Sequence, residues 1–333
     1  MPLTKSCPDE SLANALLAVI REHDNILVAA HANPDGDAIG STGAMGCILK
    51  AMGKRFAMYN PSGLPEYLNW VQLPGMIHTS LPLLPFKPGL VISLDCGDVW
   101  RMGSDLAAVF GNCPSLCIDH HLGNPQFASL GNWVDPGKAA TAQMVAAVAD
   151  AAGVPLEGIL AQCIYLALVT DTGSFTHSNT SAAVFTLAAR LLAGGLDAAA
   201  IRNKLDNQWS LAKFRLWGRM MGDVRLEHNG QTAICAFDVN TVGSCGAMKE
   251  DIEGFCEKMR QIRGVRVAIL LRRDPGNICK LSMRSSGNDD VRAVASLFGG
   301  GGHLNAAGAT FSAETFDLAI REVLDAVKRL SLK

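Results

Sequence analysis

Three short apolar runs, "NILVAA" at 25–30, "LVISL" at 90–94 and "SLCI" at 115–118, share one pattern. None alternates apolar with polar residues, and each stops abruptly at a side chain able to ligate a metal: His31, then Asp95, then "DHH" at 119–121. Runs that do not alternate are strands buried on both faces, as in a parallel sheet covered by helices. Helical stretches such as "DAIGSTGAMGCILKAMG" (37–53) and "LAAVF" (106–110) lie between them. The alternation predicts an α/β fold with a doubly wound, mostly parallel sheet. In such sheets, sites form beyond the carboxyl ends of the strands. A fourth apolar run, "LEGILAQCIYLALVT" (156–170), has the length and spacing of a helix and delivers Asp171 in "DTGSF".

At 333 residues the chain exceeds the usual single domain, so a second one is expected. Residues 181–225 are Ala/Leu-rich and helical. Beyond them, "GQTAICAFDV", "VRVAILLRR" and "ICKLSMRS" read as strands, and "DDVRAVASLF" and "AETFDLAIREVLDAVKRL" as helices. The expected division is a catalytic domain over 1–190, a helical linker over 191–225 and a smaller α/β domain over 226–333.

The net charge of −2 argues against a long nucleic-acid groove. Residues 1–209 carry 11 Lys+Arg against 17 Asp+Glu, and the remainder 18 against 14. An acidic half and a basic half fit a cation site facing a phosphate-binding surface. The chain has no uninterrupted apolar run of about eighteen residues, so no membrane span is expected. "MPLTKSCPDESLANALL" lacks the basic start and apolar block of a secretory signal. The ten cysteines include no C-x-x-C pair and read as reduced thiols of a cytoplasmic protein.

His31, Asp35, Asp37, Asp95, Asp119, His120, His121 and Asp171 form an oxygen-rich donor set. It suits Mn²⁺ or Mg²⁺ better than a thiolate zinc site does. Each piece alone has a plain structural reading: Asp35-Gly36-Asp37 as a turn, Asp171-Thr172-Gly173 as a helix stop. Together, at equivalent ends of successive elements, they point to one centre. So many acids would repel one another without cations, which favours two ions, the usual device for displacement at phosphorus. "GGGGHLNAAGA" (299–309) is neither a Walker loop nor a dinucleotide fingerprint. It reads as a turn whose bare N–H groups can approach a phosphate, with His303 as a further donor. In "KLSMRSS", period two places Lys280, Ser282 and Arg284 on one strand face. No G-x-S-x-G elbow is present, which disfavours a serine hydrolase.

"HANPDGDAIGS", "LDCGD", "DHH" and "DTGSF", in this order, resemble the four motifs of the DHH phosphoesterase superfamily, and "GGGGHLNAAGA" resembles the signature of the companion DHHA1 domain. The resemblance spans roughly residues 15–330 and is nearest to the bacterial nanoRNase/pAp-phosphatase branch. It implies two Mn²⁺ ions, with Mg²⁺ or Co²⁺ as substitutes. One would be held by His31, Asp35 and Asp95, the other by Asp37, Asp95, His120 and Asp171, with Asp95 bridging. It further implies that Asp119 orients His120, that His121 sits beside the phosphate as a donor or proton carrier, and that Arg284, Ser285, Gly300, Gly301, Gly302 and His303 bind substrate. Thr141 and Gln143 stand where the family often has a Ser/Thr and a Glu. The expected activity is hydrolysis of very short RNA to mononucleotides and of 3′-phosphoadenosine 5′-phosphate. Hydrolysis of cyclic di-AMP or linear dinucleotides is the nearest alternative, and a non-catalytic nucleotide-binding regulator a remoter one. A homodimer is compatible with the resemblance; a long nucleic-acid track and a membrane partner are not expected.

Overall fold

A computed structural model describes residues 9–330 of the chain. Residues 1–8 of the stretch read for a secretory signal, Cys7 included, lie outside them. The chain divides into two compact units, one ending at Gln208 and the other beginning at Trp209. Among the described residues no single helix is long and apolar enough to cross a membrane.

The first unit opens with α1 (Asp9–Glu22), β1 (Ile26–Ala29), α2 (Gly36–Ala51), β2 (Phe56–Tyr59), β3 (Ile77–His78) and β4 (Leu90–Leu94). It continues with α3 (Ser104–Phe110), β5 (Ser115–Asp119), β6 (Gly131–Val134), α4 (Thr141–Ala152), α5 (Gly158–Asp171), α6 (Ala182–Ala193) and α7 (Ala198–Asp206). The six strands form one sheet in the order β3-β2-β1-β4-β5-β6, and every pairing is parallel. Every residue of β1, β4 and β5 is buried, as the non-alternating runs require. Ile26, Val28, Ile92 and Ile118 pack on one face with residues of α1, α2, α4 and α5. Leu27, Ala29, Val91 and Cys117 pack on the other with Leu106 and Phe110 of α3.

β1 and β4 are neighbours although far apart in sequence, so the strand order reverses between them. This switch point is where a crevice opens at the carboxyl end of an open α/β sheet. His31 leaves β1 and Asp95 leaves β4 at this place.

Helices α2 and α5 are apolar on nearly all sides and form a buried pair. Glycines set their spacing. A Cβ at Gly36 would lie 2.3 Å from the Thr170 side chain, and one at Gly40 would lie 2.4 Å from the Cys163 carbonyl oxygen. The close approach brings Asp37, at the start of α2, towards Asp171, at the end of α5.

The second unit contains α8 (Leu211–Gly222), β7 (Arg225–Glu227), β8 (Thr232–Asp238), α9 (Asn240–Ser244), α10 (Phe255–Arg260), β9 (Val267–Asp274) and β10 (Ile278–Ser285). Then follow α11 (Val291–Leu297), β11 (Gly301–His303), β12 (Ala306–Ser312) and α12 (Phe316–Leu330). Its sheet runs β11-β12-β10-β9-β8-β7, antiparallel except for the β8–β9 pair. Val267, Ile269, Leu281 and Met283 pack against α11 and α12 on one face. Ala268 and Leu270 meet α8 and α10 on the other. Of the helical stretch read as a linker, α6 and α7 belong to the first unit, while Leu216, Trp217 and Met220 of α8 join the core of the second.

The glycine run differs from the open turn expected of it. Gly301–His303 is an edge strand paired with β12. A Cβ at Gly300 would lie 2.1 Å from the Gly308 oxygen, and one at Gly302 would lie 2.4 Å from the Ala306 oxygen. The missing side chains let two backbones approach, a role composition alone does not separate from loop flexibility.

Candidate metal centre

His31 extends from the end of β1. Its Nδ1 lies 2.9 Å from the Ala32 carbonyl oxygen. A carbonyl only accepts, so Nδ1 carries the proton and Nε2 is left free to ligate. That nitrogen is 3.6 Å from Asp95 Oδ2 and 3.8 Å from Asp35 Oδ1. Asp35 caps α2, its Oδ1 accepting the N–H groups of Asp37 and Ala38 at 3.1 Å.

His120, just past β5, follows the same logic. Its Nδ1 donates to the Lys138 carbonyl at 3.2 Å, and its Nε2 stands 3.3 Å from Asp95 Oδ1, 3.3 Å from Asp171 Oδ2 and 3.7 Å from Asp37 Oδ2. Two sets result, His31–Asp35–Asp95 and Asp37–His120–Asp171, each with ligand atoms within 4.8 Å of one another. Asp95 also meets His120 and His121 in a third such set. Octahedral ligands at about 2.1 Å from an ion sit about 3 Å from their neighbours. Spacings of 3.3–3.8 Å are too long for charge-assisted hydrogen bonds and close to that requirement. The acidic and imidazole groups gathered here can hold a metal.

Asp37 is fully buried. Its Oδ1 accepts from Ser41 Oγ at 2.8 Å and from the Ala142 N–H at 3.2 Å, while Oδ2 accepts from the Thr141 N–H at 2.6 Å. The last two donors are the first N–H groups of α4, so the carboxylate fills the place of a cap and faces the positive end of that helix. Thr141 Oγ1 also donates to Asp95 Oδ1 at 3.2 Å. Asp95 itself has a left-handed backbone, φ 53°, which costs energy for a non-glycine residue and occurs mostly at functional sites.

The cluster binds protons where cations would sit. Burial pulls His31 and His120 down, but the facing carboxylates outweigh it and push both up to about 10. Burial, then Asp95 and Asp35, raises Asp171 to about 7. Burial with Asp95 and Asp171 lifts Asp37 well above the carboxylate range. Asp95 is also pushed up by burial, yet His120 and His31 together hold it below its ordinary value.

Asp119 does not orient His120 as the resemblance implied. Its Oδ1 accepts from His121 Nδ1 at 2.8 Å, and its Oδ2 accepts from Asn124 Nδ2 at 2.7 Å. The reason is geometric: consecutive residues leaving a strand point to opposite sides, and His121 is the one on the side of Asp119. His121 Nε2 lies 3.3 Å from Arg101 Nη1. Gln143 sits apart from the ligand cluster's contacts, its Oε1 accepting the Ala139 N–H at 2.6 Å. Arg101 and Asn124 were not singled out from the sequence. An Arg six residues after Asp95 and an Asn three after His121, on strand-exit loops, were the available signals.

In the second unit, Lys280, Ser282 and Arg284 share the face predicted for them. With Arg272, Lys249 and Glu253 they line a groove of about 440 Å³. Arg284 Nε donates to Glu257 Oε1 at 2.5 Å. Ser285 lies on the opposite, buried face: its Oγ donates to the Asp289 carbonyl at 2.6 Å and accepts from Asn305 Nδ2 at 2.9 Å. Gly301, Gly302 and His303 are exposed.

A wholly parallel sheet with a carboxylate–imidazole centre at its switch point, followed by a mixed-sheet unit, defines a class of phosphoester hydrolases. The chain belongs to the DHH family: the profile for the DHH family N-terminal domain matches residues 25–168, and that for the DHHA1 domain matches residues 236–329. It is 35% identical over 304 residues to the bifunctional oligoribonuclease and PAP phosphatase NrnA of Thermus thermophilus, covering 91% of this chain and 89% of that protein. It is 24% identical to the cyclic-di-AMP phosphodiesterase GdpP of Geobacillus thermodenitrificans, across 95% of this chain and 49% of that protein. Among solved structures, an exopolyphosphatase-related protein from Bacteroides fragilis superposes with a TM-score of 0.84 at 26% identity, covering 98% of both chains.

Proposed function

We propose that this hydrolase degrades very short oligoribonucleotides to mononucleotides and removes a phosphate from 3′-phosphoadenosine 5′-phosphate, using two Mn²⁺ ions. The observation that carries the reading is the pair of ligand sets meeting at Asp95. His31, Asp35 and Asp95 would hold one ion; Asp37, Asp95, His120 and Asp171 the other. When bound, such a pair supplies a water acidic enough to attack at neutral pH and offsets the charge growing on phosphorus.

The chain's own groups do the rest. Lys138 and Ala32 carbonyls hold the two ligating imidazoles in the Nε2-free tautomer. Asp119 fixes the His121 ring through Nδ1–H, leaving Nε2 as the nitrogen that meets the leaving oxygen. Arg284, Lys280 and the exposed strand Gly301–His303 are the groups we assign to holding the remaining phosphates of the substrate, with Ser285 and Gly300 shaping their supports. The overall likeness to the Thermus NrnA supports this substrate class. The likeness to GdpP supports a second reading, hydrolysis of cyclic di-AMP or its linear product.

An assay in Mn²⁺ comparing diribonucleotides, five-residue RNA, cyclic di-AMP and 3′-phosphoadenosine 5′-phosphate separates the two. The first reading expects the highest kcat/KM on diribonucleotides, and a preference for cyclic di-AMP overturns it. Asp95→Ala should abolish turnover of every substrate.

A further inference from the structure

We propose that Arg101 binds a non-bridging oxygen of the phosphate being hydrolysed, an inference that rests on the carboxylate–imidazole cluster being the hydrolytic centre. Arg101 lies on the 3₁₀ turn Val99–Met102 that follows Asp95. The turn is held firmly. Asp98 Oδ1 accepts the Trp100 N–H at 2.8 Å, the Arg101 N–H donates to the Asp98 carbonyl at 3.1 Å, and the Arg101 carbonyl accepts the Ala32 N–H at 2.6 Å. The last bond ties the turn after β4 to the residue following His31, so the guanidinium is registered against both strand exits that deliver ligands.

No carboxylate claims this guanidinium among the described residues. Arg190, Arg202, Arg266, Arg272, Arg273 and Arg284 each pair with a carboxylate. Arg101 sits beside the most acid-rich place in the protein, yet among the described residues its side chain meets only an imidazole, its Nη1 3.3 Å from His121 Nε2. Asp119 holds the ring through Nδ1 at 2.8 Å, which turns the Nε2 edge towards the guanidinium. Gly97 leaves room for this arrangement, since a Cβ there would stand 3.2 Å from His121 Cβ and 3.9 Å from Arg101 Nη1. Arg101 is solvent-exposed, so it is not buried as a packing residue.

An anionic phosphoryl oxygen is a stronger acceptor than an imidazole nitrogen, because charge assistance roughly doubles a hydrogen bond. Two cations held by Asp35, Asp37, Asp95 and Asp171 would have much of their charge already neutralised. The negative charge gained by phosphorus in the transition state then needs a donor the carboxylates have not claimed. Arg101 is such a donor, preset beside His121 and delivering a planar fork suited to phosphate.

The test uses Arg101→Ala and Arg101→Lys in the full chain loaded with Mn²⁺. Turnover is followed on bis(p-nitrophenyl) phosphate and on a diribonucleotide, with the inhibition constant of inorganic phosphate and the Mn²⁺ binding isotherm measured alongside. We expect Arg101→Ala to lose about 10²–10³-fold in kcat on both esters, as for removal of one transition-state donor. It should weaken phosphate inhibition about tenfold and leave the Mn²⁺ isotherm unchanged, with Arg101→Lys recovering part of the loss. The proposal is overturned if the alanine variant keeps kcat within about threefold, or if the Mn²⁺ isotherm shifts as far as turnover does, which marks a structural role. Should either variant fail to fold, Arg101→Gln keeps the side chain's length and answers the same question. Wild-type protein that hydrolyses the synthetic diester but not the diribonucleotide would sink the substrate reading while leaving the Arg101 comparison intact.

Discussion

Gly40→Ala adds one methyl group to the seam between α2 and α5. The new Cβ would lie 2.4 Å from the Cys163 carbonyl oxygen and 3.0 Å from Ala167 Cβ, against an ordinary contact of 3.4–4 Å. The shortfall is about 1 Å, and the obstacle is helix backbone, which has no rotamer to escape into. Alanine in place of glycine mid-helix favours folding by about 1 kcal/mol, while overpacking at a rigid contact costs about 3 kcal/mol. The net loss is about 2 kcal/mol, or about 4–8 °C in Tm for a unit of this size. The helices must separate, and Asp37 and Asp171 ride on opposite sides of the seam, so a displacement near 1 Å should also lower kcat about 10²-fold. Thermal unfolding in chelator, which removes stabilisation by bound ions, and turnover in saturating Mn²⁺ measure the two effects. Gly218→Ala on α8 is the control: a Cβ there meets nothing within 4 Å, so it should be neutral or stabilising. A Gly40→Ala protein as stable and as active as the wild type would refute the idea that this seam sets the width of the metal centre.

The remaining predictions concern individual groups. His31 and His120, both pushed up to about 10, must shed their protons to ligate through Nε2. Calorimetric titration of Mn²⁺ at about pH 7.5, in buffers of differing ionisation enthalpy, should therefore show release of at least two protons, with the raised Asp37 and Asp171 adding to the histidines; no release contradicts the ligand assignment. By the same sign, metal-free protein holds protons that the unfolded histidines have lost, so its stability falls as pH climbs from about 6.5 towards 10, and a flat denaturation profile there argues otherwise. Thr141→Ala removes the hydroxyl bond to Asp95 but keeps the N–H to Asp37, so kcat should drop about tenfold and Thr141→Ser should restore it. Arg284→Ala should raise KM with kcat nearly unchanged, and should cost about 1 kcal/mol of stability or less because its pairing with Glu257 is half-exposed and screened by solvent; an unchanged KM for every substrate removes the second unit from substrate binding.

Elements with long apolar runs were legible in the sequence. β4 matches "LVISL" residue for residue, and α5 and β10 differ little from their expected ranges. Three strands of the first unit, and β7, β11 and β12 of the second, were not foreseen. β2, β3 and β6 are two to four residues long, and "GNWV" carries no run that separates it from a loop. Their pairing comes from the register of buried neighbours, which is a tertiary effect. The gathering of His31, Asp35, Asp37, Asp95, His120 and Asp171 was foreseen because each follows or opens an element at the same sheet edge. The alternation along β5 puts residues 119 and 121 on one side, so the pairing of Asp119 with His121 was legible from spacing, while the role carried over from the resemblance pointed to His120. Ser285 shows the same divergence. Its neighbour Arg284 faces the groove, while Ser285 braces the turn carrying Asn305.

The three hydrogen bonds that clamp Asp37 are made by the chain alone, so the carboxylate is aimed before any ion arrives. A cation that settles there meets a finished socket and binds the native fold in preference to the disordered chain. It then acts as a folding ligand as well as a reagent, and a hundredfold excess over its dissociation constant deepens the native well by about 2.7 kcal/mol. Cells short of the ion would then hold fewer surviving copies of the protein as well as slower ones.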